Sequence, residues 1–509
     1  MQPVILATTS RSAVFELRHS EGPDLDGPLP IYLDNDLVCE VSQAVFSINE
    51  LQPNHSYRLR VGNEWQLAFH TKPETAALDI RAFGACNGGC DNTPAIMAAI
   101  AACPAGGTIV IPPGVWMSGP LFLRSDITIY LSPGATLRGL AGREHYPVLP
   151  GRIAGQKGSE PFWGSWEGEA QDCFAALITG LGVENVTLAG SGVIDGDAGA
   201  GDWWLDPKKK KRAFRARTLY FNRCKNVLLQ GLTMRNSPSW TLHPHSCREV
   251  KCYDFSVENP KNSPNTDGVN PESCTGVEIV GGRFSVGDDC IAIKSGKVGA
   301  DDTVMGPCRN IVIRRCLMEY GHGAVVIGSE MSGGVGDVEI SHCLFRRTDR
   351  GLRIKTRRGR GKDGVVSDIH LHHVIMDAVA NPLVINCFYN CDSDGNSDYV
   401  QKKSALPIDD RTPEVRTIRV EKVTATGVAH AASFIWGLPE KPVTDLVLRD
   451  IRVSYADDAE PGLPAMALDV PHMRHAGFVL LNVNAPVIEN VVAVGVNGPT
   501  FPAAGEMEL

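Results

Sequence analysis

Asn265-Thr-Asp-Gly-Val-Asn-Pro-Glu-Ser273 and Gly287-Asp-Asp-Cys-Ile-Ala-Ile-Lys-Ser295 are two passes of the chain over one short pattern: an acid, a small residue, a brief strand and a serine. Gly323-Ala-Val-Val-Ile-Gly-Ser329 and Gly351-Leu-Arg-Ile-Lys-Thr356 repeat it, without the acid. Set in register, these segments put Asp267, Asp289 and Gly323 in one column. Asp288 and His322 fall in the next, and Lys294 and Lys355 share a third with one coil between them. Stacked strands lie about 4.7–4.9 Å apart. Residues far apart in sequence therefore meet on one face.

Outward from this stretch the repetition continues. Asn226-Val-Leu-Leu, Glu249-Val-Lys-Cys, Gly276-Val-Glu-Ile, Asn310-Ile-Val-Ile, Asp337-Val-Glu-Ile, Asp368-Ile-His-Leu and Asp445-Leu-Val-Leu recur, mostly 23 to 34 residues apart. Irregular periods of that size, with short strands and Gly or Asn at corners, suit the coils of a parallel β-helix. A leucine ladder or a helical face, which other repeat folds need, is missing. Repetition is clear from about residue 180. Before it, Asp91-Asn-Thr-Pro-Ala-Ile-Met-Ala-Ala-Ile-Ala-Ala-Cys103 predicts an amphipathic helix that caps the solenoid's open end. The fold expected is all-β: a right-handed parallel β-helix over 77–509, preceded by a small β-sandwich over 1–76.

The sandwich is read from alternation of apolar and polar residues in Ser12-Ala-Val-Phe-Glu-Leu-Arg and Tyr57-Arg-Leu-Arg-Val. Leu51-Gln-Pro-Asn-His-Ser-Tyr57 resembles the fibronectin type III corner, where a Tyr hydroxyl ties back to the preceding backbone. Thr71-Lys-Pro-Glu-Thr-Ala-Ala reads as a linker.

A net charge of −9 on 509 residues argues against nucleic acid as a partner. No apolar run approaches a membrane span. The N-terminus lacks the basic and apolar regions of a signal peptide, so a cytoplasmic location is expected, or a periplasmic or secreted one after signal removal. A monomer is expected. Fifteen cysteines in so long a chain suggest buried thiols in a reducing compartment. Cys86 with Cys90, or Cys387 with Cys391, are spaced to pair.

Three aspartates within about two coils repel one another, so a cation or a proton must accompany them. Calcium held by carboxylate oxygens is one reading. Acid–base catalysis, with one carboxyl kept protonated by crowding, is the other. An inverting glycosidase sets its two carboxyls about 6.5–9.5 Å apart around a water. Register makes Asp267 and Asp289 the water-holding pair and leaves Asp288, beside His322, as the acid. Arg353 and Lys355 are two apart on one strand and point the same way. Together they could grip a uronate carboxylate.

Four ordered motifs, Asn265-Thr-Asp267, Gly287-Asp-Asp289, Gly321-His-Gly323 and Arg353-Ile-Lys355, resemble those of glycoside hydrolase family 28, the polygalacturonases. The resemblance covers roughly residues 77 to 480. It implies inversion without a metal or other cofactor. It implies Asp288 as acid, Asp267 with Asp289 on the water, and substrate contacts from His322, Arg353 and Lys355. Asn265 and Lys294 join them as site candidates. Tyr389 in Asn386-Cys-Phe-Tyr resembles the aromatic near the cleavage point. The N-terminal module and the segment Arg143 to Cys173 resemble those of bacterial exo-acting members, whose extra loops close one end of the groove.

The expected function is thus exo-hydrolysis of α-1,4 bonds in polygalacturonate or its oligomers. The alternatives are endo-action, a rhamnogalacturonan or xylogalacturonan hydrolase, a calcium-dependent pectate lyase, and a non-catalytic carbohydrate-binding β-helix. Trp203-Trp204 either lines a sugar subsite or seals a loop. Lys208-Lys-Lys-Lys-Arg212 reads as a solvated loop that rims the groove.

Overall fold

The computed structural model describes residues 3–18, 20–63, 65–152, 162–298 and 306–502. The chain is almost wholly β. From Gly107–Ile111 to Val487–Val494 its strands stack in parallel, coil upon coil, through one extended sheet. A second stack runs from Leu121–Phe122 through Ile291–Ile293, Val325–Ile327 and Arg350–Lys355 to Ala476–Leu481, bridged at Val269 and Glu272. This is a parallel β-helix, and its coils begin near residue 107, earlier than the visible repetition.

The recurring anchors mark one corner of the coil. Asp126, Asn185, Asn226, Glu249, Gly276, Asn310, Asp337, Asp368, Thr417 and Asp445 occupy it in succession, all with φ between +53° and +74°. Left-handed backbone is open to Gly and tolerated by Asn and Asp, whose side chains bond locally. Here the amides also bond vertically. Asn226 Nδ2 donates to Asn185 Oδ1 at 2.8 Å, and Asn185 Nδ2 to Asp126 Oδ1 at 2.7 Å. This ladder employs Asn185 inside the strand Glu184–Gly190.

Inside, each coil stacks like on like. Cys224, Cys247, Cys274 and Cys308 sit at one position of successive coils, just before the paired strands. Burial pushes the Cys308 thiol up to about 12. Thirteen cysteines are free, but Cys86 and Cys90 are joined, which corrects the all-thiol expectation. Cys387 and Cys391 do not pair. The predicted cap is the helix Thr93–Ala102, which buries Ile96, Ala99 and Ile100 against the first coils.

The first seventy residues form two small antiparallel sheets, Pro3–Thr8 with Ala13–Leu17 and Val45–Ile48, and Asp24–Leu33 with Asp36–Gln43, Ser56–Val61 and Trp65–His70. They share a core around Phe15, Phe46 and Phe69. Tyr57 Oη accepts the backbone N–H of Gln52 at 2.9 Å, so the tyrosine does tie its corner together. Val14 and Val45 pack on Leu228, Tyr253 and Val280 of the helix. Beside them Glu16, 2% exposed, accepts from Arg314 Nε and Arg315 Nε, both at 3.0 Å. Its carboxyl is held below the usual range by those cations, although burial opposes them. Among the described residues no helix is long and apolar enough to cross a membrane.

Removing one partner of a buried ion cluster leaves the rest unpaired, at about 3–5 kcal/mol. Glu16→Ala is therefore expected to lower Tm by several degrees, while Glu21→Ala, a few residues along the same segment, leaves it unchanged. Thermal unfolding followed by circular dichroism checks both.

Candidate active site

The strands confirm the register of the central stretch. Val269 bridges Ile291, Ile291 pairs with Val325, and Val325 with Leu352. Asp267 and Asp289 accordingly stack, and His322 follows Asp288, to whose carbonyl its backbone N–H donates at 3.1 Å. The three aspartates offer carboxylate oxygens all within 4.8 Å of one another.

So close a triad cannot carry three charges in a buried site. The chain resolves the conflict with cations and a proton. Lys355 Nζ donates to Asp289 Oδ2 at 2.8 Å, and Arg353 Nη1 approaches Oδ1 at 3.5 Å. Burial works against ionisation of Asp289, yet Lys355 and Arg353 outweigh it and hold the carboxyl down at about 2. Asp267 lacks such a partner and accepts only the amide of Asn270 at 2.8 Å. Burial and then the charge of Asp288 raise it to about 8. Burial and the neighbouring carboxylate thus favour the protonated form of Asp267. Asp288 is the most exposed of the three, with 23% of its side chain accessible. Its Oδ1 accepts the backbone N–H of Asp289 at 2.9 Å and faces His322 Nδ1 at 3.4 Å. That contact raises His322 to about 9, so the imidazole is charged at pH 7.

The oxygen triad has the donor set of a cation site. Lys355, Arg353 and the Asp267 proton already supply the charge such an ion would bring. Arg353 and Lys355 face the carboxylates as expected, but they are engaged with Asp289 and are less than 10% exposed. Met466, which the sequence did not single out, covers Arg353: its sulfur accepts from Nη2 at 3.4 Å. Tyr389 lies over both cations, 5.7 and 5.6 Å from its ring centroid. Lys294 does not neutralise an aspartate directly; it donates to Glu330 Oε2 at 2.9 Å, 4.6 Å above the Trp240 ring. Asn265, in a left-handed turn, accepts from Arg215 at 2.6 Å.

These groups open onto a groove of about 860 Å³ lined by Asp267, Asp288, Asp289, Asn265, Lys294, Lys355, Tyr389 and Met466. His322 and Arg353 touch this lining through Asp288 and Asp289. A hairpin, Ser165–Trp166 with Glu169–Ala170, contributes Trp166, Glu167 and Glu169 to the lining. Its tip residue Gly168 accepts the Lys297 N–H at 3.1 Å, and a side chain there would press on Lys297 and Glu330. Trp166 anchors it by stacking on Phe214 at 4.9 Å and Trp240 at 6.1 Å. Part of the predicted loop segment thus does reach the groove; residues 153–161 lie outside the described residues. No lining residue comes from the first 76. Trp203 is fully buried and donates to Ala141 O, so it seals a loop. Lys208 reaches the rim.

Residues 153–462 match the model of glycosyl hydrolases family 28. The chain belongs to glycosyl hydrolase family 28. It is 30% identical to a protein named "Probable polygalacturonase" from Vitis vinifera, over 70% of this chain and 68% of that one. It is 30% identical to an endo-polygalacturonase of Pectobacterium carotovorum, over 58% and 72%. Among solved structures, an exopolygalacturonase of Thermotoga maritima aligns with TM-score 0.62 and 26% identity, covering 81% of this chain and 91% of that one. A family 28 exopolygalacturonase of Yersinia enterocolitica gives TM-score 0.68 over 98% and 96%. At 18% identity that second likeness is one of fold. This family 28 enzyme therefore carries its triad in a glycoside hydrolase.

The raised Asp267 binds a proton that the unfolded chain gives up near pH 4, so its contribution to stability falls as pH rises from about 4 to about 8. Asp267→Asn removes that penalty. The variant is expected to melt a few degrees above wild type at pH 7.5, to match it near pH 4, and to lose hydrolysis. Paired melting curves across pH check it.

Proposed function

We propose that the enzyme hydrolyses α-1,4-galacturonosidic bonds of polygalacturonate and its oligomers, and that it works from the non-reducing end. One observation carries the substrate. Lys208, Lys294, Lys297, Lys355, Arg357 and Arg360 line the groove, interleaved with eight acidic residues. Cations set beside an acid–base triad offer partners to a sugar that bears a carboxylate. The polygalacturonase names of its relatives agree with this reading. The hairpin at Gly168 supports exo-action, since a closed end admits a chain terminus and stops a chain interior.

The chemistry follows from the proton's position. In the resting site Asp267 carries the proton and lies within 4.8 Å of Asp288, which faces the groove. When the glycosidic oxygen reaches Asp288, the proton passes through Asp288 to the leaving group. Asp267, now ionised, joins Asp289 in polarising the water. The water attacks the anomeric carbon, and its proton returns to the Asp267–Asp289 pair. His322 steadies Asp288, and Lys355 with Arg353 keeps Asp289 ionised throughout.

The other stereochemical course is a retaining double displacement, whose carboxyls sit about 5–5.5 Å apart. Following the anomer first released from trigalacturonate by NMR separates the two; the β-anomer is expected. Asp288→Asn is expected to lower kcat about a thousandfold, within the range for loss of an acid–base group, while binding remains. Chromatography of products from defined oligogalacturonates should show single short products from the start. A mixed ladder would overturn exo-action, and a chelator-sensitive ultraviolet absorbance would point to a lyase.

A further inference from the structure

Beyond Asp289 the groove contains a second concentration of charge. On two coils the chain runs on past the cations of the triad: Lys297 follows Lys294 by three residues, and Arg357 follows Lys355 by two. Arg360 joins them, and all three line the same groove, Lys297 in contact with the hairpin at Gly168. Their side chains are 8%, 5% and 3% exposed. They converge on one carboxylate. Asp392 Oδ1 accepts from Lys297 Nζ at 2.7 Å, while its Oδ2 accepts from Arg357 Nη2 at 3.2 Å and Arg360 Nη2 at 2.9 Å.

This seat is under-filled. Three cations meet two acids, Asp392 and Asp394, and Asp394 is more than half exposed and touches Arg357 alone. Glu330 accepts from Lys294 Nζ at 2.9 Å and adds its charge to that of Asp392 at Lys297 without a hydrogen bond to it. The Nε groups of Arg357 and Arg360 are buried without a hydrogen-bond partner among the described residues. Burying guanidinium N–H groups unpaired is costly, and a ligand that satisfies them recovers that cost. Asp392 is itself held in left-handed backbone at φ +63°, on a short loop after Asn390. A carboxylate on a loop, seated among three fixed cations, has the chemistry of a stand-in for a carboxylate ligand.

We propose that Lys297, Arg357 and Arg360 form the seat for the carboxylate of the sugar unit at the closed end of the groove, and that Asp392 occupies this seat until the substrate displaces it. This rests on the galacturonan reading of the site and deepens it. The seat makes the enzyme demand an ionised uronate at the chain terminus, separately from the unit beside the triad. Arg357 and Arg360 give planar forks suited to a carboxylate, and Lys297 adds a point charge. The displaced Asp392 swings to solvent with its loop.

The test compares trigalacturonate with the same trimer methyl-esterified at its non-reducing terminal unit. For wild type, esterification is expected to raise KM about tenfold, the effect of losing one charge-assisted hydrogen-bonding group. Arg360→Gln is expected to raise KM for the free acid to about the level of the ester and to leave the ester's KM unmoved. Asp392→Asn, which removes the competitor, is expected to lower KM for the free acid. Equal losses on acid and ester in Arg360→Gln, or a raised KM in Asp392→Asn at a temperature well below its Tm, would make these residues a structural clamp and overturn the seat. If wild type cleaves both trimers equally well, the seat fails while the galacturonan reading stands. If wild type cleaves neither trimer nor polygalacturonate, both fail.

Discussion

Three aspartates, two of them buried, bring one carboxylate oxygen each within 4.8 Å of the others, and the site is organised around that repulsion. The chain meets it with two devices. Arg353 and Lys355, from one strand two coils on, hold Asp289 ionised, and burial with crowding favours the protonated form of Asp267. An acid and a base thereby coexist a few ångströms apart at neutral pH, which hydrolysis of a glycosidic bond requires. Asp288, placed between them and facing solvent, is the route by which that proton can reach a substrate.

The β-helix is suited to hold such an arrangement. Its strand spacing is fixed by backbone hydrogen bonds, so groups on neighbouring coils sit at a set distance whatever their mutual repulsion. The cost is borne by the scaffold, whose interior stacks Cys224, Cys247, Cys274 and Cys308 beneath the corner and Ile291, Val325 and Leu352 beneath the site. The N-terminal sheets clamp onto another face through Glu16, Arg314 and Arg315 and contribute nothing to the groove lining. Their position fits a brace on the outside of the coils better than a groove wall.

Much of this was legible in the chain itself. The anchors were readable because each coil turns its corner through left-handed backbone, which favours Asn, Asp and Gly. The coil at Thr417 was missed for the same reason: Thr417 adopts φ +54° without being one of those residues. The column of Asp267 and Asp289 was readable because strands in register repeat side-chain positions. The hairpin at Gly168, the cover at Met466 and the seat around Asp392 were not, because each comes from a loop that obeys no period.

The sequence by itself determined the coil, its register and the residues that share the catalytic face, since periodic backbone geometry projects directly onto residue order. It did not determine which aspartate holds the proton or what Arg353 and Lys355 do with their charge. Those are matters of burial and of distances between side chains from different coils and loops. Only the tertiary structure, by burying Asp267 beside Asp288 and setting Lys355 against Asp289, decided how three identical carboxylates came to differ.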